Sequence, residues 1–223
     1  MRNSDFYDEQ FNHVYNSGII GFLKSIVHRI LEFPFRKSDF ARILELGAGE
    51  GFHRRFVTSS FQQYVETDIS ERANKSSAGE KVTFKQENAE ELTFDDNTFE
   101  RTIATCLIAH LDRPTEALSH WRRVTKNNGW ISIYIPCEPG ILLRCFRAIF
   151  LLPKSKLSGT QDFNFRIASE HRNSYLMCKA LVKREFKNDE VWLTKYPFPF
   201  LSWNFNIFAI VRIKVKKSGD SQG

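Results

Sequence analysis

The chain has 223 residues, enough for one domain with a sizeable core and a small cap. Its net charge is +6, but unevenly spread: residues 1–139 carry 17 Lys/Arg against 20 Asp/Glu, and residues 140–223 carry 15 against 6. The basic distal part suits a partner with phosphate or carboxylate groups, or solubility alone. Four cysteines without C-x-x-C spacing or a nearby histidine pattern argue against a zinc site or a disulfide framework, and for a reducing cytosol. The polar start predicts no signal peptide, and no apolar run reaches the roughly 18–20 residues of a bilayer span.

Residues 5–17 are mostly polar, with Tyr7, Phe11 and Tyr15 at four-residue spacing. Ile19, Ile20, Leu23, Ile26, Val27, Ile30 and Leu31 then repeat at helical period, and Pro34 should end that helix. From residue 41 short apolar runs alternate with helical stretches, the pattern of a parallel sheet covered on both faces. The first run ends in Glu45-Leu46 and breaks into Gly47-Ala48-Gly49-Glu50-Gly51, and a helix is expected over residues 52–61. Alternate glycines accept positive φ and let backbone approach a ligand closely. The dinucleotide fingerprint would need a third glycine where Phe52 stands, so that pattern fails.

Tyr64 to Ser70 reads as a second strand closing on the acid Asp68. Asp112 before Arg113-Pro114 predicts a helix N-cap, with Ala117, Leu118, Trp121 and Val124 as the buried stripe. Asn127-Asn128-Gly129 should stop that helix before a fifth strand, Trp130 to Ile135. Residues 141–152 are apolar apart from Arg144 and Arg147 and close on Pro153-Lys154-Ser155-Lys156. They predict either a helix buried against the sheet or pocket, or a cap whose apolar face meets lipid while the cations face phosphates. A loop over 158–165, a helix over 169–182, strands over 185–196 and 205–215, and a polar, disordered tail complete the chain.

The glycine turn, the acid at 68, Glu87-Asn88-Ala89-Glu90-Glu91-Leu92 with its run to Glu100, Thr105 to Leu111, and Ala117 to Val124 come in the order seen in one family. Over residues 41–137 the chain resembles class I S-adenosylmethionine (SAM)-dependent methyltransferases, in particular the small-molecule subgroup. The resemblance implies a Rossmann-like α/β fold: a seven-stranded, mostly parallel sheet with an antiparallel last strand and helices on both faces. It also implies one domain over 1–215. Residues 1–40 would be a helical lead-in, 41–137 the SAM core, 138–184 a helical cap holding the substrate region, and 185–215 the last two strands, before a tail at 216–223.

Carried residue by residue, the resemblance makes Glu45 the acid that orients the methionine end, with Gly47, Ala48 and Gly49 lining that end by backbone. Asp68 would accept both ribose hydroxyls, with Ile69 beside it. Asn88 stands where the family usually has Asp for the adenine amino group, which removes charge assistance of about 1 kcal/mol. Ala89 would offer its N–H to the ring, and Cys106 its carbonyl near the sulfonium. Thr105 before Cys106 departs from the Pro-Cys of cytosine C5 methyltransferases, and the Asp/Asn-Pro-Pro-aromatic motif of base N-methyltransferases is missing, so nucleic acid is not the expected substrate. His110 and His171 are the candidate catalytic bases for a hydroxyl acceptor; capping or hydrogen bonding would explain them equally.

The expectation is methyl transfer to oxygen, or less favourably nitrogen, of a small molecule, with no metal. A loose resemblance to bacterial surface-polysaccharide methyltransferases suggests a sugar, nucleotide-sugar or lipid-linked saccharide carrying phosphate. A quinone-like amphiphile is the alternative acceptor, and a non-catalytic methyltransferase-fold partner protein is the alternative role. Cytoplasmic location, with peripheral contact to a membrane's inner face, completes the expectation.

Overall fold

The computed structural model describes residues 18–70, 79–153 and 171–217. Among these, seven strands form one sheet: β1 (Asp39–Leu46), β2 (Ser60–Asp68), β3 (Val82–Gln86), β4 (Phe99–Thr105), β5 (Thr125–Pro136), β6 (Glu190–Tyr196) and β7 (Phe208–Lys214). Their order is β3-β2-β1-β4-β5-β7-β6. Strands β1 to β5 pair in parallel, and β7 runs antiparallel to both its neighbours. This is the Rossmann-like architecture that the family resemblance implies, and its parallel part is what the alternation of strand and helix patterns predicts.

Helices α1 (Gly18–Glu32), α2 (Pro114–Val124), α3 (Ile141–Phe146) and α4 (Tyr175–Glu185) cover the sheet. Side chains alternate along each strand, so Leu44 and Leu46 face one way and Ile43 the other. Leu44, Leu46, Ala104, Ile131 and Ile133 pack with α2 and α4 in one apolar cluster. Ile43, Tyr64, Ile103 and Ile210 pack with Leu31 of α1 and Phe35 in a second cluster. All four residues of the expected α2 stripe are fully buried. Pro34 does end α1, sitting in a 3-10 turn at Phe33–Phe35.

Several local expectations need correction. The helix expected over 52–61 is only a 3-10 turn, His53–Phe56, and β2 begins at Ser60. Phe52 and Phe56 turn under α1, against His28 at 5.2 and 5.3 Å between ring centroids, which leaves no room for further turns. Asp112 does not cap α2: the N-cap is Arg113, without a side-chain bond. Instead the buried Glu90 carboxylate accepts from the N–H groups of Asp112 (2.6 Å) and Arg113 (2.8 Å), and Asp112 pairs with Arg172. A carboxylate brought from another segment thus satisfies the N–H groups leading into the helix and meets its dipole.

Asn127-Asn128-Gly129 lies inside an irregular stretch of β5, with Asn128 at φ +60°, rather than ending the helix, which stops at Val124. The helix expected from 169 begins at Tyr175, where the Ser174 hydroxyl accepts from the Met177 N–H. Strand β6 starts at Glu190 because α4 runs on to Glu185. The expected tail is docked at its start: Lys216 N–H bonds Asp189 and Lys217 N–H bonds Asn127. Lys154, Lys156, the 158–165 loop, residues 5–17 and the tail from 218 lie outside the described residues. Among the described residues no helix is long and apolar enough to cross a membrane.

Candidate active site

Strand order reverses between β1 and β4, so the crevice at their carboxyl ends is the topological switch point where such sheets take ligands. The glycine turn leaves β1 there, and Cys106 follows β4. Gly47, Gly49 and Gly51 all hold positive φ, at 62°, 60° and 67°. A Cβ on Gly47 would lie 2.9 Å from Leu107 Cδ1, so this turn accepts no side chain there without displacing the wall of the crevice. The Ala48 N–H donates to the Thr67 carbonyl at 2.8 Å, tying the turn to β2.

Asp68 closes β2 beside that turn. Its Oδ2 accepts from Gly49 N–H (3.1 Å) and its Oδ1 from the Ser70 N–H and hydroxyl, which aims the carboxylate along the crevice with a lone pair left on Oδ2. Ile69, next along, exposes 44 % of its surface. The turn after β3 is anchored by its acceptors: Ala89 carbonyl takes the Trp121 indole N–H at 2.9 Å, and the Asn88 side-chain oxygen takes the Glu90 N–H at 3.1 Å. A backbone cradle free of side chains, a carboxylate held at its edge and an exposed apolar residue beside it fit a nucleoside carrying an amino-acid end.

Glu45 lies beneath the crevice, buried, with Oε2 accepting from the Tyr64 hydroxyl at 2.6 Å and Oε1 without a partner. Burial pushes its carboxyl up to about 7. It belongs to a layer of buried polar groups under α1. Arg101 donates to both oxygens of Glu32 (2.7 and 2.6 Å), His53 Nε2 lies 3.0 Å from Glu32, and His53 Nδ1 lies 2.7 Å from His28 Nδ1. Lys24 of α1 sits over the Phe52 ring, near enough to Cys106 and Glu50 to feel their charge, although burial lowers its pKa on balance. Helix α1 therefore lies against the glycine turn.

Across the crevice, the structure brings both candidate histidines to Cys106. Cys106 stands at φ +62°, which turns it off β4 into the 3-10 turn Leu107–His110. Its Sγ lies 3.8 Å from His110 Nε2 and 4.0 Å from His171 Nε2, and the two imidazoles meet edge to face with centroids 4.6 Å apart. Burial pushes the Cys106 thiol up, but hydrogen bonds and charge from the two histidines outweigh it and hold it well below the usual thiol value. His171 Nδ1 is paired with Glu138, which also pairs with Arg147.

His171, Glu138 and Arg147 also line a cleft of about 920 Å³, together with Arg144, Arg172 and apolar residues of α3. Helix α3 continues through a π turn at Arg147–Leu151; Leu143 and Leu151 are buried, while Ile141, Ile149 and Phe150 stay exposed. The helix is thus buried on one side only. Sequence reasoning does not single out Glu138 or Lys24; an isolated acid just past the fifth strand is the one signal for Glu138.

A family model described as a methyltransferase domain matches residues 44–133. No curated protein matches the chain. Solved structures share the fold at low identity. The plantazolicin methyltransferase BpumL, solved with a desmethyl plantazolicin analogue and SAH, is 13 % identical over 93 % of this chain and 90 % of its own, with a TM-score of 0.66. An S-adenosylmethionine-dependent methyltransferase from Mesorhizobium loti is 11 % identical over 85 % of this chain and 96 % of its own, at 0.59. YcgJ from Bacillus subtilis is 16 % identical over 88 % of this chain and all (100 %) of its own, at 0.58. Crevice, domain match and fold agree: residues 44–133 match a methyltransferase domain, and the chain has the fold of S-adenosylmethionine-dependent methyltransferases.

Proposed function

We propose that the chain methylates an oxygen, or less favourably a nitrogen, of a small anionic acceptor such as a phosphate-bearing sugar, nucleotide-sugar or lipid-linked saccharide. The supporting observation is the cleft: Arg144 and Arg172 stand at its wall, and the Glu138-held His171 lies beside Cys106 at the switch point. SAM, when bound, supplies an activated methyl on a sulfonium whose departure needs no assistance. The chain's work is therefore alignment and deprotonation.

Gly47, Ala48 and Gly49 would hold the amino-acid end by backbone, Asp68 the ribose, Ile69 with the Asn88-Ala89 turn the base, and Cys106 its carbonyl. Guanidiniums on the cleft wall suit planar, doubly bonded recognition of phosphate or carboxylate. His171 or His110 would take the acceptor proton, with Glu138 fixing the His171 ring. A quinone-like amphiphile is the second reading. It is favoured by exposed Ile149, Phe150, Phe198, Phe200, Leu201 and Phe205, since the Trp203–Phe205 turn packs on α3.

Release of S-adenosylhomocysteine should be screened with nucleotide-sugars, glycolipids and quinols. Turnover with a phosphorylated saccharide that falls in Arg144→Ala supports the first reading; turnover only with quinols moves the conclusion to the second. Gly49→Val should abolish SAM binding in a folded protein, and unchanged calorimetric affinity would remove the turn from the site.

A further inference from the structure

Cys106 Sγ, His110 Nε2 and His171 Nε2 all lie within 4.8 Å of one another, although His171 is 65 residues from Cys106 in the chain. Two imidazole nitrogens are aimed at one sulfur. A tetrahedral zinc with Zn–S near 2.3 Å and Zn–N near 2.0 Å sets sulfur and nitrogen about 3.6 Å apart. The observed 3.8 and 4.0 Å are within a few tenths of an ångström of that spacing. A second feature is independent of these distances. Glu138 occupies Nδ1 of His171, which leaves Nε2 as the ring nitrogen that faces the sulfur. Arg147 in turn holds Glu138. Carboxylates bound to the outer nitrogen of a histidine are the usual support of metal-ligating imidazoles.

We propose that Cys106, His110 and His171 bind one divalent transition-metal ion of the zinc class, with a fourth position open to the cleft for the acceptor's hydroxyl or thiol. One sulfur and two nitrogens suit zinc, and three protein ligands with an open place mark a reactive rather than a structural site. Cysteine spacing alone gives no sign of such a site because the third ligand comes from another part of the chain. The inference rests on the methyl-transfer reading and specifies its acceptor as an oxygen or sulfur donor. With both histidines on the ion, neither serves as the base, and the acceptor's proton leaves to water as its oxygen or sulfur binds the ion. A lone pair on that atom forms the bond to the methyl carbon. The sulfonium C–S bond breaks, and its electron pair stays on sulfur.

Untagged protein purified without chelators should be assayed for zinc by mass spectrometry and, after metal removal, titrated with cobalt(II). One zinc per chain and a near-ultraviolet thiolate-to-cobalt charge-transfer band are expected. Cys106→Ser should remove the band. Glu138→Gln should keep the band while weakening metal binding 10–100-fold, with circular dichroism unchanged. If Cys106→Ser does not fold, the double variant His110→Gln with His171→Gln replaces it and should lose stoichiometric metal. Substoichiometric zinc in the wild-type protein, or cobalt bound without the charge-transfer band, overturns the site. A protein that releases S-adenosylhomocysteine with an acceptor but binds no metal defeats this inference alone. One that binds metal but methylates nothing defeats the functional reading alone.

Discussion

The two faces of the sheet are held by different physics. Under α2 and α4 the interior is almost wholly apolar, centred on Trp121. Under α1 the interior also buries Glu32, Arg101, His28, His53 and Glu45 beside its aromatic residues. Apolar burial is non-directional and indifferent to pH, so the first face supplies cohesion. The second supplies placement: a buried ion pair adds little net stability over well-packed apolar groups but is costly to break. It ties α1 to β4 and, through His53, to the segment following the glycine turn.

The titrations of the second face oppose one another. Burial, with the neighbouring His53 and Lys24, drives His28 down to about 2, so it stays neutral. Below its ordinary value of 6.5 the unfolded chain gains a proton that the folded chain refuses, and stability falls with falling pH. Burial raises Glu32, but Arg101 and His53 outweigh it and hold it near 2, so its contribution is lost as pH falls from 4.5 toward 2. Glu45 is reversed: with its pKa raised from 4.5 to about 7, the folded state holds a proton the unfolded one has lost, and stability falls as pH rises through that window.

Arg101→Ala should break the contrast most directly. It strands the Glu32 carboxylate in the interior and should cost about 3–5 kcal/mol by denaturant unfolding. Arg101→Leu combined with Glu32→Leu should recover most of that loss; failure to recover would mean that the pair contributes more than placement. Leu118→Ala on the apolar face should cost about 2–5 kcal/mol. That loss should be equal at pH 5 and pH 8, and any pH dependence would blur the distinction between faces. Asp68→Ala should weaken SAM binding by about 1.5–3 kcal/mol in calorimetry while leaving unfolding nearly unchanged. Glu45→Gln should have the smallest effect, on the order of 1–2 kcal/mol, because only part of the burial cost survives relaxation. Its stability relative to the unsubstituted chain should rise between pH 4.5 and about 7 and then level; a gap independent of pH would show that Glu45 stays ionised.

What could be read in advance was local. The α2 stripe at Ala117, Leu118, Trp121 and Val124 follows from a 3.6-residue period, and the positive φ of Gly47 and Gly49 from residue chemistry. The antiparallel β7 follows from the family resemblance rather than from any residue in it. Non-local events stayed hidden. Nothing near Asp112 announces that Glu90 will cap its helix, and 65 residues separate Cys106 from His171. Phe52-His53-Arg54-Arg55-Phe56 reads as an amphipathic helix in isolation. It forms a single 3-10 turn because its aromatic side chains are taken up by a helix that precedes β1.

That shortened turn bears on how the molecule folds. In most strand–helix–strand units the covering helix comes from within the unit, so the pair of strands can form as a local event. Here β1 and β2 are joined through a 3-10 turn too small to shelter their outer face, and the shelter is α1, with His28 meeting His53 across 25 residues of sequence. The outer face of β1 and β2 therefore gains its stabilising contacts only when α1 docks on it. Destabilising α1 at His28 or Leu31 should delay the closing of the turn between β1 and β2, read as later protection of Ser60 and Phe61 amides in pulse-labelled hydrogen exchange.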